Sequence, residues 1–200
     1  DHDGLDDFIA GNALDWGSSF DEGLLQVVSG GTGAVLFEYR GIVFEHLGGG
    51  VGTYDDIDGD GTQDFWFSST FGPNGSIRIH SGATGGLIQL FNGTMTEAIG
   101  PRGACLGDVD GDTVPDFVTS ISWVTQVPAQ AGGISVRSGA TGAEIYRVLG
   151  TQTGEFMGSS LAALPDLNGD GRAEIMVGAF GASITGAESG AVRILSGADG

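Results

Sequence analysis

Asp56-Ile57-Asp58-Gly59-Asp60-Gly61-Thr62-Gln63-Asp64 places four carboxylates at relative positions 1, 3, 5 and 9 of one short run, with Gly61 where the backbone must turn sharply. Like charges gathered over so short a span repel one another unless a cation stands among them. Hard divalent ions take oxygen ligands, and Ca²⁺ accepts about six to eight, a set that such a loop and water can supply. The run therefore reads as a calcium loop. Asp56, Asp58, Asp60 and Asp64 are its side-chain ligands, and the backbone carbonyl of Thr62, at position 7, is the fifth protein ligand.

The residues that follow decide the fold. An EF-hand opens in the same way but closes with a Glu at position 12 and runs into a helix. Here position 12 is Phe67, and Asp64-Phe65-Trp66-Phe67 is aromatic and strand-forming. The ion is expected at a β-turn. The loop recurs as Asp108, Asp110, Asp112 and Asp116 with the carbonyl of Val114, and as Asp166, Asn168, Asp170 and Glu174 with that of Arg172. The chain opens inside a further copy, with Asp1, Asp3 and Asp7 at positions 3, 5 and 9 and Leu5 at position 7. One copy could be a solvated acidic turn; three complete copies, each followed by an apolar strand, point to bound cations.

A second marker keeps the same beat. SGGTG starts at Ser29, SGATG at Ser81 and Ser138, and SGADG at Ser196, which are steps of 52, 57 and 58, while the complete loops are 52 and 58 apart. The repeats run approximately over 1–41, 42–93, 94–150 and 151–200. Each holds four strand candidates: A before the cation loop, B after it, C leading into the Ser-Gly turn and D leaving it. The glycines of that turn supply the positive φ that a tight C–D hairpin requires. B strands such as Glu174-Ile175-Met176-Val177 are apolar on consecutive residues, so both faces are expected to be covered. Four-stranded antiparallel sheets at a period near fifty, covered on both faces, describe an all-β propeller better than a sandwich. A parallel β-helix is the alternative, although its repeats are usually shorter. The strand count runs BCD, ABCD, ABCD, ABC, about three and a half blades, a partial propeller whose remaining blades are expected from the same chain.

Composition agrees with a folded, turn-rich domain: 39 glycines, 40% hydrophobic and only 16% charged residues in 200. The net charge of −19 comes from 26 acids against seven arginines, with no lysine. Such a surface repels phosphate backbones and anionic membranes, and no apolar run is long enough to insert in a bilayer. Much of the acidity lies in the loops and is ligand. Cys105 stands alone, which leaves metal as the staple of an extracellular module.

Phe156-Met157-Gly158-Ser159-Ser160-Leu161, then the loop from Asp166 to Glu174, then Ile175-Met176-Val177-Gly178-Ala179 and Gly190-Ala191-Val192-Arg193-Ile194 resemble an FG-GAP repeat. That family, with the related VCBS repeats, builds the calcium-binding propellers of integrin α-chain type. The resemblance implies seven blades in a complete ring, and calcium loops lying away from the ligand-binding face. Met157 is inserted in the Phe-Gly pair, Phe180 stands where the Pro of GAP would, Pro115 occupies position 8, and Thr113 replaces the loop glycine, a position where a side chain is strained.

Strands alternating up and down put cation loops and Ser-Gly hairpins at one end, and B–C and D–A connections at the other. The B–C connections vary most and carry Trp16 and Phe20, Phe71, and Trp123, aromatics suited to binding a protein or glycan or to plugging their own blade. Without lysine there is no Walker lysine, Schiff base or Ser-Lys pair, and no G-x-S-x-G or H-E-x-x-H run occurs. Asp15, Asp21, Glu22 and Glu188 are the loop carboxylates that could serve glycoside chemistry. The expectation is a non-enzymatic, calcium-stabilised propeller of a secreted or cell-surface adhesion protein. The alternative is a propeller scaffold attached to a carbohydrate-active or lipid-active enzyme.

Overall fold

The structure, a computed structural model, describes residues 1–15, 20–70, 74–94, 97–124, 128–184 and 186–200, with the backbone alone at 123 and 124. Among these residues fourteen strands form four sheets, each antiparallel and each ordered as the chain runs. The first blade holds β1 (Phe8–Asn12), β2 (Leu24–Val28) and β3 (Val35–Arg40). The second holds β4 (Leu47–Tyr54), β5 (Asp64–Ser69), β6 (Ser76–His80) and β7 (Leu87–Asn92). The third holds β8 (Glu97–Gly107), β9 (Asp116–Val124), β10 (Gly133–Arg137) and β11 (Glu144–Leu149). The fourth holds β12 (Met157–Leu164), β13 (Glu174–Ala179) and β14 (Ala191–Leu195). These are propeller blades: strand follows strand outward, and the inner strand of each blade packs against the blade before it. Antiparallel pairing throughout the sheets excludes the parallel β-helix.

The core lies in the seams. Leu25, Val27, Leu47, Phe65 and Phe67 fill the first, between blades one and two. Tyr54, Trp66, Ile77, Ile79, Phe91, Ile99 and Phe117 fill the second. Leu106, Val118, Ile134, Val136, Met157, Ile175 and Val177 are among those that fill the third. Each seam thus buries an apolar face of both blades that meet there, which explains why β5 needs no alternation; in β13, against the expectation, Met176 is exposed. β5 is buried at all six residues. β1 departs from that expectation: it is largely exposed, Phe8 included, because no strand lies inside it among the described residues.

One backbone device closes every seam. The carbonyls of Glu22, Asn74 and Ala131 accept the N–H of Leu47, Ile99 and Met157 at 3.2, 2.9 and 2.9 Å, joining the start of a third strand to the inner strand of the next blade. The next residue is always glycine, Gly23, Gly75 or Gly132, with φ of 83°, 71° and 69°. A Cβ on any of them would fall within 2.2–2.3 Å of the adjoining blade's backbone, so both conformation and space demand glycine.

A second difference from the sequence reading concerns Trp123. β9 runs on through Val124 and pairs Trp123 with Ala98, so this residue belongs to a strand and not to a connection. The long β8 extends the ladder beyond the length of its counterparts and carries the neighbouring residues with it.

Candidate metal centres

Each cation loop is shaped by its own carboxylates. Asp56 accepts the N–H of Gly59 at 2.7 Å through Oδ1 and that of Gly61 at 2.8 Å through Oδ2. Asp108 does the same for Gly111 and Thr113, and Asp166 for Gly169 and Gly171. These bonds hold Asp108 and Asp166 below the usual carboxylate range. The residues at position 3, Asp58, Asp110 and Asn168, each cap the N–H two residues on, and those at position 5, Asp60, Asp112 and Asp170, cap Thr62, Val114 and Arg172. A chain of side-chain caps therefore coils the loop.

Three groups of carboxylates converge: Asp56, Asp58 and Asp64; Asp108, Asp110 and Asp116; Asp166, Asp170 and Glu174. Within each group one oxygen per residue lies within 4.8 Å of the others. Asp60 and Asp112 lie outside these groups, and Asp60 Oδ2 instead accepts the hydroxyl of Ser81 at 3.1 Å. In the opening copy Asp3 caps Leu5, while Asp7 accepts the N–H of Gly30 and the chain's amino terminus, and no convergent group forms there among the described residues.

Position 9 joins the two sequence markers. Asp64 and Asp116 each turn one oxygen back to the loop, to Ile57 and Val109, and the other across to the Ser-Gly hairpin, to the N–H of Gly82 and Gly139, both at 3.0 Å. The two turns thus share one end of the blade. Burial pushes Asp64 and Asp116 above the usual range, with the charges of Asp58 and Asp60, and of Asp110, adding to it. These carboxylates are costly to ionise without a counter-cation. In the fourth blade Glu174 Oε2 accepts Leu167 N–H at 2.6 Å, and Glu174 Oε1 is buried with no hydrogen-bond partner. An all-oxygen set with such an orphan suits a hard cation.

Residues 157–195 match the FG-GAP repeat family. The match spans the fourth blade. In the solved structures, the Dos1 propeller shares 15% identity with this chain at a TM-score of 0.48, over 80% of the chain and 38% of that protein's length. No curated protein matches significantly. The Phe-Gly glycine of the FG-GAP repeat, Gly158, has φ of 87°, and a Cβ there would meet Gly133 O at 2.4 Å, so this glycine lets β12 press on the third blade.

The opposite end holds what the sequence reading missed. Glu45 and Glu155 stand just before their inner strands and Glu97 opens β8, at the loops' own spacing of 52 and 58. Glu45 Oε2 closes its turn on Ile42 N–H at 2.8 Å, and Glu155 Oε2 does so on Thr151 and Gln152. Their other oxygens meet Arg78 at 2.6 Å and Arg193 at 2.5 Å on the third strand of the same blade. In the third blade that slot is Ser135, and Glu97 pairs with Arg147 and Arg137 instead. Burial works against the charge on Glu45 and Glu155, yet backbone N–H groups and arginine outweigh it and hold both low.

Glu45's turn presents Ile42, Val43 and Phe44, all exposed, and Phe20 is exposed on the connection beside it, where Phe44 N–H donates to Phe20 O. Trp16 and Phe71 lie outside the described residues, as does the side chain of Trp123. Asp15 is paired with Arg40 at 3.0 Å, Asp21 lies 3.7 Å from His46, Glu22 is buried, and Glu188 N–H bonds within its own loop. His80 is packed among Tyr39, Phe65 and Phe67, with Nδ1 2.9 Å from Gly85 O. Cys105 is half-buried, its thiol donating to Asp55 at 3.4 Å and pushed up to about 11 by burial, which leaves it a poor nucleophile.

Proposed function

We propose that this chain is a calcium-stabilised FG-GAP propeller scaffold from a secreted or cell-surface protein. Its catalytically inert blades present the connections at the end opposite the metal loops to a protein or glycan. The observation that carries the calcium assignment is the convergence of three all-oxygen carboxylate groups, one with a buried, unpaired Glu174 oxygen. Asp56, Asp58 and Asp64 would hold one ion, Asp108, Asp110 and Asp116 a second, and Asp166, Asp170 and Glu174 a third. Asp60, Asp112 and Asn168 complete the loops, with the carbonyls of Thr62, Val114 and Arg172 as further ligands. The ion's part is to neutralise charge that otherwise strains the turn and to lock inner to second strand. The oxygens are used within each loop, so the ions are structural and touch no ligand.

Thermal unfolding with Ca²⁺ titrated from chelator tests this. A site saturated at a hundredfold its Kd adds about 2.7 kcal/mol. At this chain length that raises the midpoint by roughly 2–4 °C for each kcal/mol. A midpoint indifferent to Ca²⁺ removes the assignment. Mg²⁺, which demands a tighter octahedron, is expected to stabilise less.

A further inference from the structure

A cavity of about 280 Å³ opens in the seam between the third and fourth blades. It lies at the end of β9 and β12 that carries the connections, since Ile121, Gly132 and Met157 line it. Its volume sits at the lower limit for small-molecule sites and suits a one-ring ligand. Ile121, Met157 and the stacked rings of Phe156 and Phe180, 4.6 Å apart and 11° from parallel, give it apolar walls. Ser120, Ser122 and Ser159 add hydroxyls, and a Cβ at Gly100 would meet those of Ser120 and Ser122 at 2.4 and 2.6 Å, so the two share one face.

Arg102 also lines the cavity, and its position is unusual. Arg40, Arg78, Arg137, Arg147 and Arg193 are all ion-paired, and Arg172, which has no ion pair among the described residues, sits within the acidic loop of the fourth blade. The guanidinium of Arg102 makes no ion pair or hydrogen bond among the described residues, and no carboxylate stands in the lining. On a chain of net charge −19, a cavity with a free cation and no acid is a local reversal of sign. A planar guanidinium engages a carboxylate with two parallel bonds.

We propose that this cavity binds the hexuronate residue of an acidic glycan. The carboxylate sits on Arg102, ring hydroxyls on the serines, and the apolar face of the pyranose against the phenylalanines. An acidic peptide fits less well, because both bordering strand edges are broken. Pro101 lacks an N–H, and register shifts interrupt β8 between Ile99 and Gly103 and β12 between Met157 and Ser160, so neither strand is regular where an extended chain would have to add. The inference rests on reading this end as the ligand-binding face.

Calorimetric titration of the full-length protein in saturating Ca²⁺ tests it with methyl glucuronide, methyl galacturonide, the matching uncharged hexosides and glutarate. At least one uronide is expected to bind about tenfold or more tightly than its uncharged counterpart and than glutarate. Arg102→Gln should abolish that preference while leaving the melting midpoint unchanged, since the side chain holds nothing else. Phe180→Ala, at a ring 63% exposed, should weaken the uronide several-fold and keep the preference. Absence of uronide binding, equal binding of the hexosides or glutarate, or a preference that survives Arg102→Gln would each overturn the proposal. If Ca²⁺ still raises the midpoint in that case, the scaffold reading stands and only the ligand is lost.

Discussion

The third and fourth blades carry the same loop with different ninth residues. Asp116 spends both oxygens on the protein, one on Val109 and one on Gly139, whereas Glu174 spends one on Leu167 and leaves the other buried without a partner. Glu174 makes no counterpart, among the described residues, of the bond that Asp116 makes to its hairpin. One position thus differs in what it holds: in the third blade it braces two turns, and in the fourth it leaves a buried oxygen without a hydrogen-bond partner.

The largest expected effect separates those roles. Asp116→Ala strands two buried N–H groups and should cost about 3–5 kcal/mol even in chelator. Glu174→Ala strands one and should cost about 1–2 kcal/mol in chelator, but should lose more than Asp116→Ala does of the additional stability that Ca²⁺ supplies. Denaturant unfolding of both variants with and without Ca²⁺ gives the four numbers. Equal calcium increments would erase the distinction. Glu174→Gln sharpens it: removing the buried charge should leave chelated stability unchanged or raised while the calcium increment falls by about the share of one site.

Acidification acts on the loop carboxylates unequally. Burial raises Asp116 and Asp64, so as pH falls these protonate first, from above the ordinary aspartate value of 3.8. Protonated ligands release metal, so the calcium-induced rise in midpoint should shrink on approach to that range. In the absence of metal the sign reverses for this pair: a raised folded value contributes stability below the unfolded value and loses it as pH rises through the folded one. Asp60, Asp108 and Asp166, held low by backbone N–H groups, oppose this, their contribution being lost as pH falls. Midpoints measured across pH with and without Ca²⁺ should therefore converge on the acid side.

Blades and strand order were legible because two markers of independent chemistry kept one spacing. The structure adds the reason: in the first three blades the position-9 carboxylate bonds the Ser-Gly hairpin, so there the markers are two halves of one contact. The glutamates at 45, 97 and 155 keep that spacing too and could have been found by it. They escaped notice because glutamate at the start of a strand signals nothing locally, and its arginine lies 33 or 38 residues further on in a slot that Gln26 and Ser135 fill in other blades. Trp123 was misplaced because a strand extended by pairing with the long β8 has no sequence boundary. The seam cavity was invisible for a different reason. Its residues come from two blades, and no local pattern reports what adjoins across a seam.

The smallest effect concerns the one loop that breaks the glycine rule. Thr113 takes φ of 74°, close to the 87° of Gly61 and Gly171 at the same position, and its N–H still reaches Asp108 at 2.8 Å. The substitution therefore has not changed the loop's shape, and the convergent group survives. The cost is stored in the backbone, where a β-branched residue in the left-handed region is strained by about 1–2 kcal/mol. Thr113→Gly relieves that strain but frees the unfolded chain by about 0.4–1 kcal/mol, so the net gain should be about 1 kcal/mol or less. It should also be nearly the same with and without Ca²⁺, because no ligand atom moves. A gain confined to the calcium form would show instead that the ion, and not the caps from Asp108, holds Thr113 in that conformation.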